Sequence, residues 1–590
     1  DIFRVPSVYV SRYSHGGWGP AFNLNNPTAY IHDGGLSKDI TTTIRPNFGL
    51  NYKLFNALNL RVAYSPDLQI GNEKTMVKSY DITDPSGETV QQMPSINSLT
   101  QRESTTFNQT LNATLHFQKY LGKHTASILG GYEFVSFKNS YFQASRDQFL
   151  LQDLEELNAG AVANQQNNGS GSEWSLRSFF GRLNYNYDSK YLLEANLRYD
   201  GSSRFSAENR WGLFPSFSAG WVVSEEPFMK SLHFLSHFKV RGSWGVLGNQ
   251  NIGTYPYIST IDLRQNYVLG GVGVTGAAQL GLANSGITWE QTASANLGFD
   301  IAVLQNRVNF SLDLFNRKTS DILLQLPVPL ILGLSAPFQN AGAVGNKGWE
   351  MELGYKSRGG KDFSYEVSFS VSDVKNRVTD LKGAGPFISG DNITMEGVPI
   401  QSVYGYQSNG FFNSQQEIDA HAQQAGQIAP GDIRYVDQNK DGVINADDRV
   451  VIGDPFPSLN YGINLAARYK NFDISVFFQG IGRRNVYLSD YAAWPLYNGS
   501  NIREWQARDF WTPEHMNASM PRFTQAATHS NFSASDFWVY DASYLRLRNL
   551  QLGYSLSATS VKRLPVDHFR LFLLAENLAT FFNKMPQGVD

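Results

Sequence analysis

Residues 179–200, FFGRLNYNYDSKYLLEANLRYD, carry two patterns at once. Phe179, Leu183, Tyr185 and Tyr187 fall on alternate positions, and beyond residues 188–190 so do Tyr191, Leu193, Ala195, Leu197 and Tyr199. Between them stand Arg182, Asn184, Asn186, Glu194, Asn196, Arg198 and Asp200. A period of two that folds back across a short turn predicts a β-hairpin with one greasy face and one wet face.

The same pattern recurs outward from this hairpin, at 48–64, 107–134, 213–246, 293–314, 349–371, 459–478 and 544–575. In the 459–478 pair, Leu459, Tyr461, Ile463, Leu465, Ala467 and Tyr469 alternate with Asn460, Gly462, Asn464, Ala466 and Arg468. Near Asn549 the apolar phase switches from Leu545 and Leu547 to Leu550, Leu552 and Tyr554, which predicts a β-bulge or an exit from the apolar layer. The total is about sixteen strands. Their connections alternate between short turns and long stretches, the long ones near 66–106, 136–178, 247–288, 317–347, 376–458 and 481–541. One connection of the long series, near 202–210, is short. The low-complexity run NQQNNGSGS at 164–172 has too little apolar content to pack and is expected to be mobile.

Composition limits which solvents the two faces meet. A formal charge of −3 on 590 residues gives no electrostatic reason to expect nucleic acid. The absence of cysteine excludes disulfides and thiolate metal sites. No apolar run reaches the roughly 18 residues of a membrane helix, so a bilayer crossing would use strands. In a membrane the Arg182 and Arg198 face must look at water, because Arg or Lys facing lipid at mid-depth costs about 2–4 kcal/mol. Short turns on one rim and long loops on the other are the habit of a transmembrane β-barrel. A soluble sandwich also alternates, but has no reason to lengthen every second connection. The fold class expected is therefore all-β, an antiparallel transmembrane barrel. The competing reading is a surface or secreted all-β carbohydrate-binding or hydrolytic protein.

Two constellations are candidate sites. In residues 437–448, DQNKDGVINADD, oxygen side chains at Asp437, Asn439, Asp441, Asn445 and Asp448 surround Gly442 with the spacing of an EF-hand-like calcium loop. Val443 would add its carbonyl, and Asp448 stands where a longer Glu is usual. The other reading is an Asp/Asn/Gly turn held by its own side chain to backbone hydrogen bonds. No cofactor is required, and calcium would serve to stiffen the loop. The second constellation is aromatic: Trp494, Tyr497, Trp505, Phe510, Trp511, Trp538 and Tyr540 crowd residues 480–542. Such rings either stack on a sugar or apolar ligand, or form the loop's own small core or an interfacial girdle. Gly271, Gly273 and Gly276 spell G-x-G-x-x-G without a strand-turn-helix setting and read as loop. No H-E-x-x-H, P-loop or G-x-S-x-G is present, and no enzyme is expected.

Three longer stretches resemble SusC/RagA-type TonB-dependent outer-membrane transporters. They are PGDIRYVDQNKDGVINADDRVVIGDPFPSLNYG at 430–462, FWVYDASYLRLRNLQLGYSLS at 537–557, and SEEPFM at 224–229 with FKVRGSWGVLGNQNIGTYPY at 238–257. The resemblance implies a barrel of about 22 strands with a plugged lumen, of which about 16 are present here. It further implies import of nutrients such as glycans or peptides across the outer membrane of a Gram-negative, Bacteroidetes-like cell. A TonB complex would energise transport through an N-terminal part, and a SusD-like surface lipoprotein would close the mouth. The opening DIFRVPSVYV lacks a signal-peptide pattern and the closing MPQGVD reads as a cut loop. The chain is thus expected to be a barrel fragment without the plug, the first strands and the last strand.

Overall fold

The computed structural model describes residues 9–21, 26–263, 265–326, 328–360, 362–556 and 569–586. The expected turn after Leu556 and the closing residues 587–590 lie outside them.

One antiparallel sheet dominates. Its first strand position, β1, is shared by Gly35–Ile44 and Phe48–Phe55, which flank Pro46 and pair with one long neighbour, β2 (Leu58–Val77). There follow β3 (Ser98–Leu121), β4 (His124–Asp147), β5 (Gln166–Tyr187), β6 (Tyr191–Ser202), β7 (Trp211–Val222), β8 (Leu235–Asn249) and β9 (Glu290–Val303). The series continues through β10 (Val308–Ser320), β11 (Ala343–Lys356), β12 (Phe363–Asp380), β13 (Leu459–Tyr469), β14 (Phe472–Arg483), β15 (Tyr544–Leu556) and β16 (Phe569–Phe581). Each pairs with the next in order, so the sheet is a meander. Among the described residues, β1 pairs only with β2 and β16 only with β15, which leaves two unpaired edges.

The hairpin at residues 179–200 shows how the chain sets its register. Asp188 and Ser189 adopt left-handed backbone, with φ of 54° and 56°, and the Asn186 side chain accepts the Ser189 N–H at 3.0 Å. Tyr187 then sits opposite Tyr191 and Phe179 opposite Tyr199, which aligns the apolar rows of both strands. Those rows are exposed: Phe179 is 51% accessible, Leu193 53% and Leu197 50%. Among the described residues no second layer of protein covers them. On the reverse face Ser178 and Asp200 are buried, and Arg198 donates to Asp200, to Ser178 and, across two strands, to Glu133 at 2.6 Å. The sheet is therefore apolar outside and polar inside.

The strands run further than alternation predicts. Residues 66–77 and 98–106, expected as loop, continue β2 and β3 in unbroken register from Pro66↔Gln109 to Val77↔Ser98. The run at 164–172, expected to be mobile, supplies the start of β5 from Gln166, with Gln166 opposite Ser145 and Ser172 opposite Asn139. Ladder bonds come from the backbone, so polar side chains do not prevent pairing where neither face has to be apolar. The long connections shrink accordingly to 78–97, 148–165, 250–289, 321–342, 381–458 and 484–543, and the short exception falls at 203–210. The bulge expected near Asn549 is present: Leu547 and Asn549 pair with Ala579 and Glu576, and Arg548 is skipped.

Candidate functional site

The inner wall is polar and charge-balanced. Arg241 of β8 is clamped between Asp300 of β9 and Asp313 of β10, its Nε donating at 3.0 Å to the first and its Nη1 at 2.6 Å to the second. Arg570 of β16 pairs with Asp473 of β14. Two hollows of about 400 and 460 Å³ flank the Arg241 cluster, the first reaching Asp313 and the second Arg241. One is lined by Glu350, Glu352, Ser370, Ser372, Asn460 and Gln479, the other by Asn184, Asn186, Glu194, Ser218, Lys239 and Asn296. Amides, hydroxyls and carboxylates at this density suit polar solutes.

Above one rim, residues 381–458 and 484–543 fold together. A four-stranded sheet joins 387–389, 392–394, 402–405 and 450–453. Under it Ile433, Tyr435, Ile444, Trp494, Met520, Phe532 and Trp538 form a buried core drawn from both loops. Polar bonds tie the loops as well: Asn531 Oδ1 accepts the Ile433 N–H at 2.9 Å, and the Tyr435 hydroxyl donates to the Ser530 carbonyl at 2.6 Å. Burial pushes the Tyr435 hydroxyl well above the usual phenol range.

Five of the seven rings of the aromatic constellation, Trp494, Tyr497, Trp505, Phe510 and Trp538, belong to this core. Trp494 and Trp538 are buried in it and Tyr497 and Trp505 half-buried against it, while Trp511 is buried apart from it, beside Gly431. Trp494 stacks on Phe532 with centroids 5.3 Å apart and meets Tyr497 edge-on at 4.8 Å. Trp511 lies so close to Gly431 that a Cβ there would come within 2.5 Å of the ring, and Gly431 itself has φ of 94°. Trp494, Tyr497, Trp505, Phe510 and Trp538 thus pack in one cluster of the loop body. Tyr540 pairs with Val486 in a short two-stranded sheet, and burial pushes its hydroxyl up to about 12.

The acidic loop closes on its own backbone. Asp437 accepts the N–H groups of Lys440 at 2.7 Å and Gly442 at 2.9 Å, Asn439 that of Asp441, and Asp441 that of Val443. Asp448 is fully buried, with one oxygen taking the Gln438 N–H at 2.8 Å and the other the Asn445 N–H at 2.9 Å. Burial raises its pKa, but these backbone donors outweigh that and hold the carboxyl below the usual range. Asn445 in turn accepts the Asp447 N–H. Among the described residues no three His, Asp or Glu side chains converge as a metal cluster. The loop is thus closed by side chain to backbone hydrogen bonds of its own Asp and Asn residues.

Sequence reasoning missed a polar knot beneath the loop. Asp432 is fully buried and receives bonds from Arg522, from Asn531 and from the Ala429 N–H. His529 faces the same carboxylate at 3.6 Å, its Nδ1 beside the Asn531 N–H and its Nε2 beside Arg522. Burial lowers the His529 pKa; Asp432 pulls it back up and Arg522 pushes it down again. The only sequence signal was the PGD turn at 430–432, whose partner lies about ninety positions away. Gly271 and its neighbours, read as loop, form a hairpin tip in which 267–269 pairs with 272–274.

Comparison with known proteins agrees with this architecture. The family model described as TonB dependent receptor-like, beta-barrel, matches residues 4–578. TonB-dependent receptor P3 of Formosa agariphila is 30% identical over 95% of this chain and 55% of its own length. TonB-dependent receptor SusC of Bacteroides thetaiotaomicron is 31% identical over 76% of this chain and 44% of its own. The chain therefore spans about half the length of the relatives it matches. Among solved structures, the RagAB peptide importer in its closed-closed state superimposes with a TM-score of 0.81 at 21% identity, covering 98% of this chain and 63% of that one. With a sixteen-position meander that is apolar outside and polar inside, and a family model matched along almost its whole length, the chain belongs to the TonB-dependent receptor-like β-barrel family.

Proposed function

We propose that this chain is the barrel wall of an outer-membrane importer that moves a polar nutrient oligomer, a glycan or a peptide, inward with energy delivered through TonB. The observation that carries this reading is the sidedness of the sheet: exposed Phe, Leu and Tyr rows outside, and Arg, Asp, Asn and Ser inside. A soluble hydrolase would bury the first set. With short turns periplasmic, the long loops face outward from the cell.

A SusD-like lipoprotein seated on the long-loop rim fits two features there. The 250–289 and 321–342 loops are tied together where Ser335 and Leu280 to Leu282 exchange backbone bonds. Each carries an apolar tip held in the open, Tyr267, Val268, Leu269 and Val272 on one, Ile331 and Leu332 on the other. Exposed apolar tips of this kind mark a protein contact.

The test uses the full-length protein in its own host. The reading predicts recovery in the outer-membrane fraction, co-purification with a lipoprotein encoded beside it, and loss of growth on one class of oligosaccharide or peptide when the gene is deleted. Recovery as a soluble hydrolase would overturn it.

A further inference from the structure

We infer that the short connection 203–210 carries an anion-binding site for cargo, in which Arg204 and Arg210 take a carboxylate or sulfate group of an acidic glycan. This rests on the import reading above. The inner row of β6, Glu194, Asn196, Arg198 and Asp200, continues by parity through Ser202 to Arg204. Backbone bonds carry the pairing that far: the Ser202 N–H donates to the Arg210 carbonyl at 3.1 Å and the Ser203 N–H to the Ser175 carbonyl at 2.9 Å. Register Gly201↔Trp211 sets Arg210 opposite Ser202. Both arginines therefore stand on the inner side at the long-loop rim, diagonal to each other.

Elsewhere on the wall Arg198, Arg241 and Arg570 are each held by carboxylates. Arg204 and Arg210 are half-buried and form no ion pair among the described residues, and the Nε of each is enclosed without a hydrogen-bond partner. Burial lowers the Arg204 pKa and no acid offsets it. A guanidinium drawn out of water calls for a counter-charge, and this chain supplies none here. Arg204 lies over Trp174, with Cζ 5.0 Å from the ring centroid, and Trp174 stacks in turn on Phe137 at 5.8 Å. The indole covers one face of the guanidinium and leaves its in-plane N–H fork free, which suits two oxygens of one carboxylate or sulfate. The connection is also held still: Phe205 is fully buried and meets Trp289 at 5.2 Å, and the Trp289 indole N–H donates to the Arg210 carbonyl at 3.0 Å. Little ordering is left for a ligand to impose. Beside Trp174 the inner row of β5 presents Asn168, Ser170 and Ser172 in the open. These exchange hydrogen bonds with sugar hydroxyls and offer no apolar pocket for a peptide side chain, which favours an acidic glycan over an acidic peptide.

The experiment is calorimetric titration of the full-length protein, purified from outer membranes in mild detergent. The probes are an oligogalacturonate beside its methyl ester, a sulfated carrageenan oligosaccharide beside its desulfated form, and pentaglutamate. At least one acidic glycan binds about tenfold or more tightly than its neutral form, since a charge-assisted bond contributes about 1.5–3 kcal/mol. Arg204→Gln and Arg210→Gln each lower that affinity about tenfold and leave the neutral form unaffected. Arg204→Lys, charged but without the fork, recovers only part of the loss. Heat-modifiable migration confirms that each variant has folded, so failure of the import reading shows separately, as absence from the outer-membrane fraction. Equal binding of acidic and neutral forms, no binding of either acidic glycan, tighter binding of pentaglutamate, or unchanged affinity in both Gln variants would overturn the assignment.

Discussion

Two regions of this chain use aromatic side chains in opposite senses. In the wall, Phe179, Phe217 and Tyr469 stand in the open while Arg198 and Arg241 are enclosed by carboxylates. In the loop body, Trp494, Phe532 and Trp538 are packed away while Asp437, Asn439 and Asp441 meet water. Apolar surface is driven out of water in both cases. In the loop body the refuge is other protein, and in the wall it is hydrocarbon. One sequence therefore has to be read against two solvents.

The largest effect that sharpens this contrast is expected at Trp538. Trp538→Ala removes a fully buried ring from the joint core and should cost the loop body about 3–5 kcal/mol, measured by hydrogen exchange of residues 430–450. Phe217→Ala in the wall should change the stability of the detergent-solubilised barrel by about 0.5 kcal/mol or less. Comparable losses at both sites would mean that the wall rows are packed on protein after all.

Next in size is a charge placed on the outer row. Leu197→Arg should cost about 2–4 kcal/mol and reduce assembly into membranes. Asn184→Arg, on the inner face of the neighbouring strand, should assemble normally. Heat-modifiable mobility on a gel separates the two outcomes.

The wall was far more legible than the loop body, for a physical reason. In strands 179–200 each residue's solvent is decided by its parity, so a local pattern carries the whole answer. Even the skipped residue near Asn549 shows as a change of phase. The pattern fails where parity stops mattering: residues 66–77 and 166–172 are strands with no apolar rule to reveal them. In the loop body nothing is periodic. Trp494 meets Phe532, and Asp432 meets Arg522, only because two connections separated by β13 and β14 fold onto each other. The sequence therefore offered the aromatic residues and the acidic loop as candidates without showing that the first form a core and the second a self-capped turn.

Smaller effects test how that turn is held. Asp448→Ala frees the backbone donors of Gln438 and Asn445 and should destabilise the loop body by about 1–2 kcal/mol. Asp441→Ala, exposed and bonded to its own turn, should cost less. A chelator should leave the melting temperature unchanged if the turn is held by these bonds alone; a clear fall would show calcium in the loop.

The smallest expected effect is a pH dependence of the tie between the two loops. His529 is held below its ordinary value of 6.5, so the folded chain binds fewer protons than the unfolded one. Its contribution is fully present above pH 6.5 and is lost as pH falls through the window beneath it. Trypsin cleavage within 522–531 should therefore quicken on acidification in the wild type, and His529→Gln should flatten that profile.

The central claim, that the greasy rows meet hydrocarbon, has a direct test because this chain contains no cysteine. Single cysteines placed in turn at 192–199 of the full-length protein, labelled with a fluorophore and reconstituted in vesicles, report which medium each position meets. The account predicts strict alternation, with 193, 195, 197 and 199 quenched by lipid-borne quenchers and 192, 194, 196 and 198 sheltered from them. Odd positions shielded from lipid and water alike would contradict it.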